Sequence, residues 1–143
     1  VGFSAANNIG VKEADGKCIK LVAPLLQFLP DVFNYKVVFV ERDMEEILRS
    51  QQKMLGKHKD LKNNAYPMML AEAFKKQLEK AETWIKSQPN VSALHVNYID
   101  VINNAEEQAE NIRSFLGTDL DIEKMAAAVD GSLYRNRMDK VNN

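Results

Sequence analysis

The stretch YKVVFVERDMEEILRSQQKML, from Tyr35 to Leu55, decides how this chain is read. Val37, Val38, Phe39 and Val40 form a short apolar run, rich in β-branched residues. Such a run predicts a strand buried on both faces, as in a parallel sheet. Glu41, Arg42 and Asp43 end it with charge. A helix is expected at once, because Met44, Ile47, Leu48, Met54 and Leu55 recur on one helical stripe. Asp43 suits its N-cap, and Glu46, three residues on, completes a capping-box pattern. Arg42 is therefore expected at the carboxyl end of a buried strand, beside a helix start. Ligands bind there in open α/β sheets. Ser50 falls on the flank of the apolar stripe and can face the same crevice. An Arg and a Ser hydroxyl converging at that place suit a phosphate.

Outward from this stretch, apolar runs and helical patterns alternate. Cys18 to Val22 reads as a first strand. Pro24 suits the first position of a short helix that Pro30 stops. Lys57 to Asn64 is polar and reads as a loop, and His58 within it is expected to be solvated. A long helix is expected from about Tyr66 or Pro67 to Gln88. Met69, Leu70, Ala73, Phe74, Leu78, Ala81, Trp84 and Ile85 form its apolar face, and Lys75, Lys76, Glu79, Lys80, Glu82 and Lys86 the wet one. Ser92 to Val96 reads as a third strand, with His95 a core histidine bonded by a neighbour. Tyr98 then sits at a strand's carboxyl end, as Arg42 does. Asn104 to Leu116 reads as a helix opened by a capping box of Asn104 and Glu107, closed by Gly117, and buried through Ile112, Phe115 and Leu116. A last helix is expected from Ile122 to Val129 behind Asp121. Residues 1–16 read as a mobile lead-in and residues 139–143 as a frayed tail. The fold class expected is α/β, three-layered, with a short parallel sheet flanked by helices in a single domain of 1–143.

The chain has 143 residues, 45% hydrophobic and 27% charged, which is ordinary for a globular domain with a real core. Its net charge of −1 gives no electrostatic case for a nucleic-acid or membrane partner. No stretch approaches the ~20 apolar residues of a membrane span. The single Cys18 cannot close an internal disulfide and is expected as a small buried hydrophobe in a reducing, cytoplasmic setting. No set of His, Cys or carboxylates has metal-ligand spacing, so no metal is expected. The sequence opens at Val1 without an initiator Met, which suggests a fragment or a processed chain.

Arg42 after a strand, an acidic residue next to it and Ser50 eight positions on resemble the 3′-phosphate-binding segment of the sulfotransferases. These enzymes use 3′-phosphoadenosine 5′-phosphosulfate (PAPS). KLVAPLLQFLP before that segment, and VNYIDVINN, IRSFLG and VDGSLYRNR after it, are similar to the bacterial branch of the superfamily. The resemblance runs from about Lys17 to Met138. It implies a P-loop-like fold in which Arg42 and Ser50 grip the 3′-phosphate of PAPS or of its product PAP. Tyr98, in a Tyr-x-Asp element with Asp100, helps hold the adenine. Arg135 and Arg137 correspond to a basic segment that closes over the nucleotide, although the Arg-Lys-Gly signature of the animal enzymes is absent.

The resemblance also predicts parts that this chain lacks. No Gly-rich loop with a Lys follows an N-terminal strand to cradle the 5′-phosphosulfate. No His precedes Arg42 as a base for the acceptor hydroxyl. The expectation is a truncated or degenerate sulfotransferase-like domain that holds the 3′-phosphoadenosine part, with catalytic residues unassigned. The alternative is a non-catalytic interaction domain on the same scaffold, with the helical face around Trp84 as its contact surface. A different P-loop-like phosphotransferase, such as a small kinase, fits the Arg42 to Ser50 segment less well. A missing central strand would leave a gap. Either the strands at Val37 to Val40 and Ser92 to Val96 close on each other, or an edge pairs with a second copy in a homodimer, the favoured outcome.

Overall fold

The computed structural model describes residues 15–48 and 65–133. It is a mixed α/β structure with a two-stranded parallel sheet flanked by helices. Strand β1 is Tyr35–Glu41 and strand β2 is Val91–Asn97. The helices are α1 (Ala65–Ser87), α2 (Tyr98–Asn103), α3 (Ala105–Leu116) and α4 (Ile122–Ala127). Residues 44–48 are also helical. The chain divides into two compact units, Val1–Tyr35 with Glu72–Ser92, and Lys36–Ala71 with Ala93–Asn143. Among the described residues no helix is long and apolar enough to cross a membrane.

In the first unit, the expected strand at Cys18 to Val22 does not form. Residues 18–22 have no regular structure, and Cys18 is exposed rather than buried. Lys20 interrupts the apolar run, and Pro24 sets the chain into a 3-10 helix, Ala23–Phe28, immediately afterwards. Leu26 and Leu29 of this segment are buried, as are Ala81 and Ile85 of α1. The latter two are four residues apart and so share one helical face. The buried stripe of α1 is narrower than expected, since Met69 and Ala73 are exposed while Leu70, Phe74, Leu78 and Trp84 are half-buried. Ser87 Oγ donates to Trp84 O at 2.8 Å, and Pro89 turns the chain after the helix.

Asn90 then ties that turn to the loop before β1. Its Nδ2 donates to Phe33 O at 2.6 Å and Asp31 O at 3.3 Å, while its own carbonyl accepts from Tyr35 N at 2.8 Å. The Tyr35 hydroxyl donates to Pro30 O at 2.7 Å. Burial first, and the Asp31 charge second, hold the Tyr35 phenol above its ordinary pKa of 10.0. The folded protein therefore keeps this proton to higher pH than the unfolded chain does. The stability it contributes is complete below about pH 10 and is lost as pH rises through the folded-state value. The melting temperature is expected to fall above pH 10, and to fall less steeply in Tyr35→Phe. Melting curves of both proteins between pH 8 and about 11.5 check this, and equal slopes would remove Tyr35 from the account.

In the second unit, Phe39 of β1 and Val96 of β2 are buried, but Val40 is 57% exposed. Burial on both faces, expected for β1, therefore does not occur. Phe39 shares a face with His95, whose ring it approaches, and Val96 alternates to the opposite face, so each face of the two-stranded sheet is buried at one residue and open at another. The strands close directly on each other, the first of the two arrangements expected for the sheet. Asn97 caps α2 by accepting from Ile99 N at 2.8 Å. The expected capping box on α3 is absent. Asn104 makes no side-chain cap bond because it also ends α2, giving its N–H to Asp100 O, and sits at φ −134°, ψ 51° instead of the extended cap geometry. The buried residue of α3 is Ala109, with Ile112, Phe115 and Leu116 only half-buried. Gly117 ends α3 in the left-handed region at φ 66°, as expected of a helix-ending glycine. Lys36 Nζ adds two bonds to the same helix end, donating to Phe115 O at 2.9 Å and Leu116 O at 2.8 Å. Asp121 caps α4, accepting from Lys124 N at 3.0 Å, and α4 is shorter than expected. Helix α3 packs against both α2 and α4.

Candidate anion site

Arg42 is the residue after β1, and Tyr98 is the residue after β2. Because the strands are adjacent and parallel, their carboxyl ends coincide, and the two side chains meet there. The Arg42 guanidinium carbon lies 4.9 Å from the centre of the Tyr98 ring, a cation–π contact. Arg42 Nε donates to Glu46 Oε2 at 3.2 Å. Glu46 is 1% exposed, whereas the Arg42 side chain is 26% exposed.

Local sequence accounts for this placement. Asp43 Oδ1 accepts from the backbone N–H of Glu45 at 2.8 Å and of Glu46 at 3.3 Å, which starts the helical turn. That turn brings Glu46 one full winding after Arg42, the spacing at which helical side chains meet. A carboxylate out of water must be paired and hydrogen-bonded, and Arg42 supplies both the charge and the donor. The result is a guanidinium bonded to a buried anion and lying over a phenol ring, on a side chain that is partly in solvent. Such a group can bind an anion such as a phosphate through charge-assisted hydrogen bonds.

Of the residues singled out from sequence, Arg42 and Tyr98 are brought together. Ser50, Arg135 and Arg137 lie outside the described residues, as do His58, the first 14 residues of the expected 1–16 lead-in and the expected tail over 139–143. By sequence Glu46 suits the second half of a capping box. Its pairing with Arg42 was equally available from the four-residue spacing. His95 is not a core residue. It lies on the strand neighbouring Glu41, with Nδ1 and Glu41 Oε1 2.9 Å apart and its side chain 38% exposed. Its ring lies 5.3 Å from that of Phe39. Alternation along β2 buries Val96 and leaves His95 on the other face. A depression elsewhere in the second unit is lined by Asn103, Asn104, Glu106, Glu107, Glu123 and Ala126, among others. Its carboxylates make it unsuited to a phosphate. Compared with protein-family models, curated proteins and solved structures, the chain matches none.

Proposed function

We propose that this chain is a sulfotransferase-like, nucleotide-binding domain that holds the 3′-phosphoadenosine part of PAPS or PAP. The observation carrying this reading is the meeting of Arg42 and Tyr98 at the shared carboxyl end of β1 and β2. The sulfotransferase resemblance assigns these residues, which come from segments far apart in the chain, to the phosphate and the adenine of one ligand. A cation beside an aromatic ring suits a ligand that carries a phosphate on a nucleoside. The phosphosulfate loop and an acceptor base are not among the residues assigned, so the role proposed is binding, with sulfuryl transfer a property of a complete relative.

Calorimetry with adenosine 3′,5′-bisphosphate, and with adenosine 5′-phosphate as control, tests this reading. The bisphosphate is expected to bind at least about tenfold more tightly, the scale of one charge-assisted hydrogen bond. Arg42→Lys, which keeps the charge but loses the planar fork, is expected to erase most of that preference. Equal affinity for the two nucleotides, or a preference untouched by Arg42→Lys, overturns the assignment.

The second reading, a non-catalytic interaction domain, draws on a different observation. Val22, Phe28 and Val32 of the first unit are 61%, 45% and 75% exposed. Exposed apolar side chains of this size mark contact surfaces when they are contiguous. Absence of any nucleotide binding in the calorimetry favours this reading over the first.

A further inference from the structure

We propose that Glu46 is a positioning residue, fixing the Arg42 guanidinium in the orientation that receives an anion. This deepens the nucleotide-binding reading and rests on it. Glu46 is the charged side chain most completely buried among the described residues, at 1% exposure, and an incoming ligand cannot reach it. Its Oε2 engages Arg42 at Nε, the inner edge of the fork, at 3.2 Å. The Tyr98 ring lies against the guanidinium at 4.9 Å. A hydrogen bond at Nε and a ring 4.9 Å from the guanidinium carbon together restrict rotation of the group. The exposed quarter of the Arg42 side chain is what a ligand meets. An arginine already held in its binding geometry loses less rotamer entropy on taking up a phosphate, and so binds more tightly.

The carboxylate acts here through a hydrogen bond, and that separates its role from that of a mere counter-charge. Glutamine at position 46 keeps an oxygen able to accept from Nε but carries no charge. Alanine keeps neither. Glu46→Gln is expected to bind adenosine 3′,5′-bisphosphate within about threefold of the parent, and Glu46→Ala about tenfold or more weakly. In an Arg42→Lys background, which lacks the Nε–H fork, Glu46→Ala is expected to add little further loss. A general structural role would instead weaken binding equally in both backgrounds.

A second readout does not depend on the nucleotide. In nitrogen-15 spectra of the free protein, the Arg42 Nε–Hε signal is expected to be sharp and slow to exchange in the parent and in Glu46→Gln, and lost in Glu46→Ala. If the parent fails to bind the bisphosphate, the nucleotide reading falls while this signal still decides whether Glu46 holds Arg42. The positioning role is overturned by an unchanged signal in Glu46→Ala, by a Gln variant as weak as the Ala variant, or by an additive double variant.

Discussion

Arg42→Met is expected to lower the unfolding free energy by on the order of 3–5 kcal/mol, the usual cost of removing one partner from a buried ion pair. The Arg42 and Glu46 side chains are unequally buried. Glu46 is 1% exposed and cannot recover its lost cation by turning to water. Folding then requires burial of a carboxylate deprived of the charge and the hydrogen bond that Arg42 supplies. Loss of the Tyr98 contact adds a smaller amount, about 0.5–1 kcal/mol. Since domains of this size are stable by only about 5–15 kcal/mol, the single variant is expected to unfold at much lower denaturant. The double variant Arg42→Met, Glu46→Leu is expected to regain most of the loss, because two apolar side chains of similar volume replace a buried pair at little net cost. Urea unfolding of the parent, the single and the double variant checks this. A double variant no better than the single one would show that the loss comes from repacking around Arg42 rather than from the Arg42–Glu46 pairing.

Phe39→Ala is expected to cost about 3–5 kcal/mol, the range for emptying a buried aromatic site. Phe39 is 8% exposed, and its ring lies 5.3 Å from that of His95 on the adjacent strand. Its neighbour Val40 is 57% exposed and points to the other face. Val40→Thr is therefore expected to change stability by less than about 0.5 kcal/mol, as surface substitutions do. The contrast between adjacent residues is the test. Comparable losses for both would mean that both faces of β1 are covered in solution, which a second copy on the sheet would provide.

The same two residues show where sequence reading stops. The apolar run from Val37 to Val40 identified a strand, and the pattern from Val91 to Val96 identified its partner, because both are local signals of composition and length. Pro24, Pro89 and Gly117 marked boundaries through their own backbone constraints. How much of a strand is buried depends on how many strands share its sheet, which is not local. Val40 looked like core for that reason, and Cys18 to Val22 looked like a third strand although nothing in its own residues could supply a partner. In the site, Arg42 and Tyr98 were legible from their positions after strands. Glu46 was ambiguous, because one residue can serve either as capping-box partner or as an i+4 ion pair, and only the fold decides between them. Asn104 carried a good cap composition but served two helices at once, a conflict visible only when both helices are placed.

The two bonds from Lys36 to the end of α3 span 79 and 80 residues of chain. They give the fold an order of assembly. A connection that long is entropically expensive to close, and two exposed hydrogen bonds worth about 0.5–1.5 kcal/mol each cannot drive the closure. They are expected to form after β1 and β2 have paired and α3 has grown to Gly117. The clasp therefore belongs to the last stage of folding and to the first stage of its loss. A lysine that looks like ordinary surface charge is thus expected to lengthen the life of the native state. Its removal should hasten unfolding and leave the rate of refolding nearly unchanged.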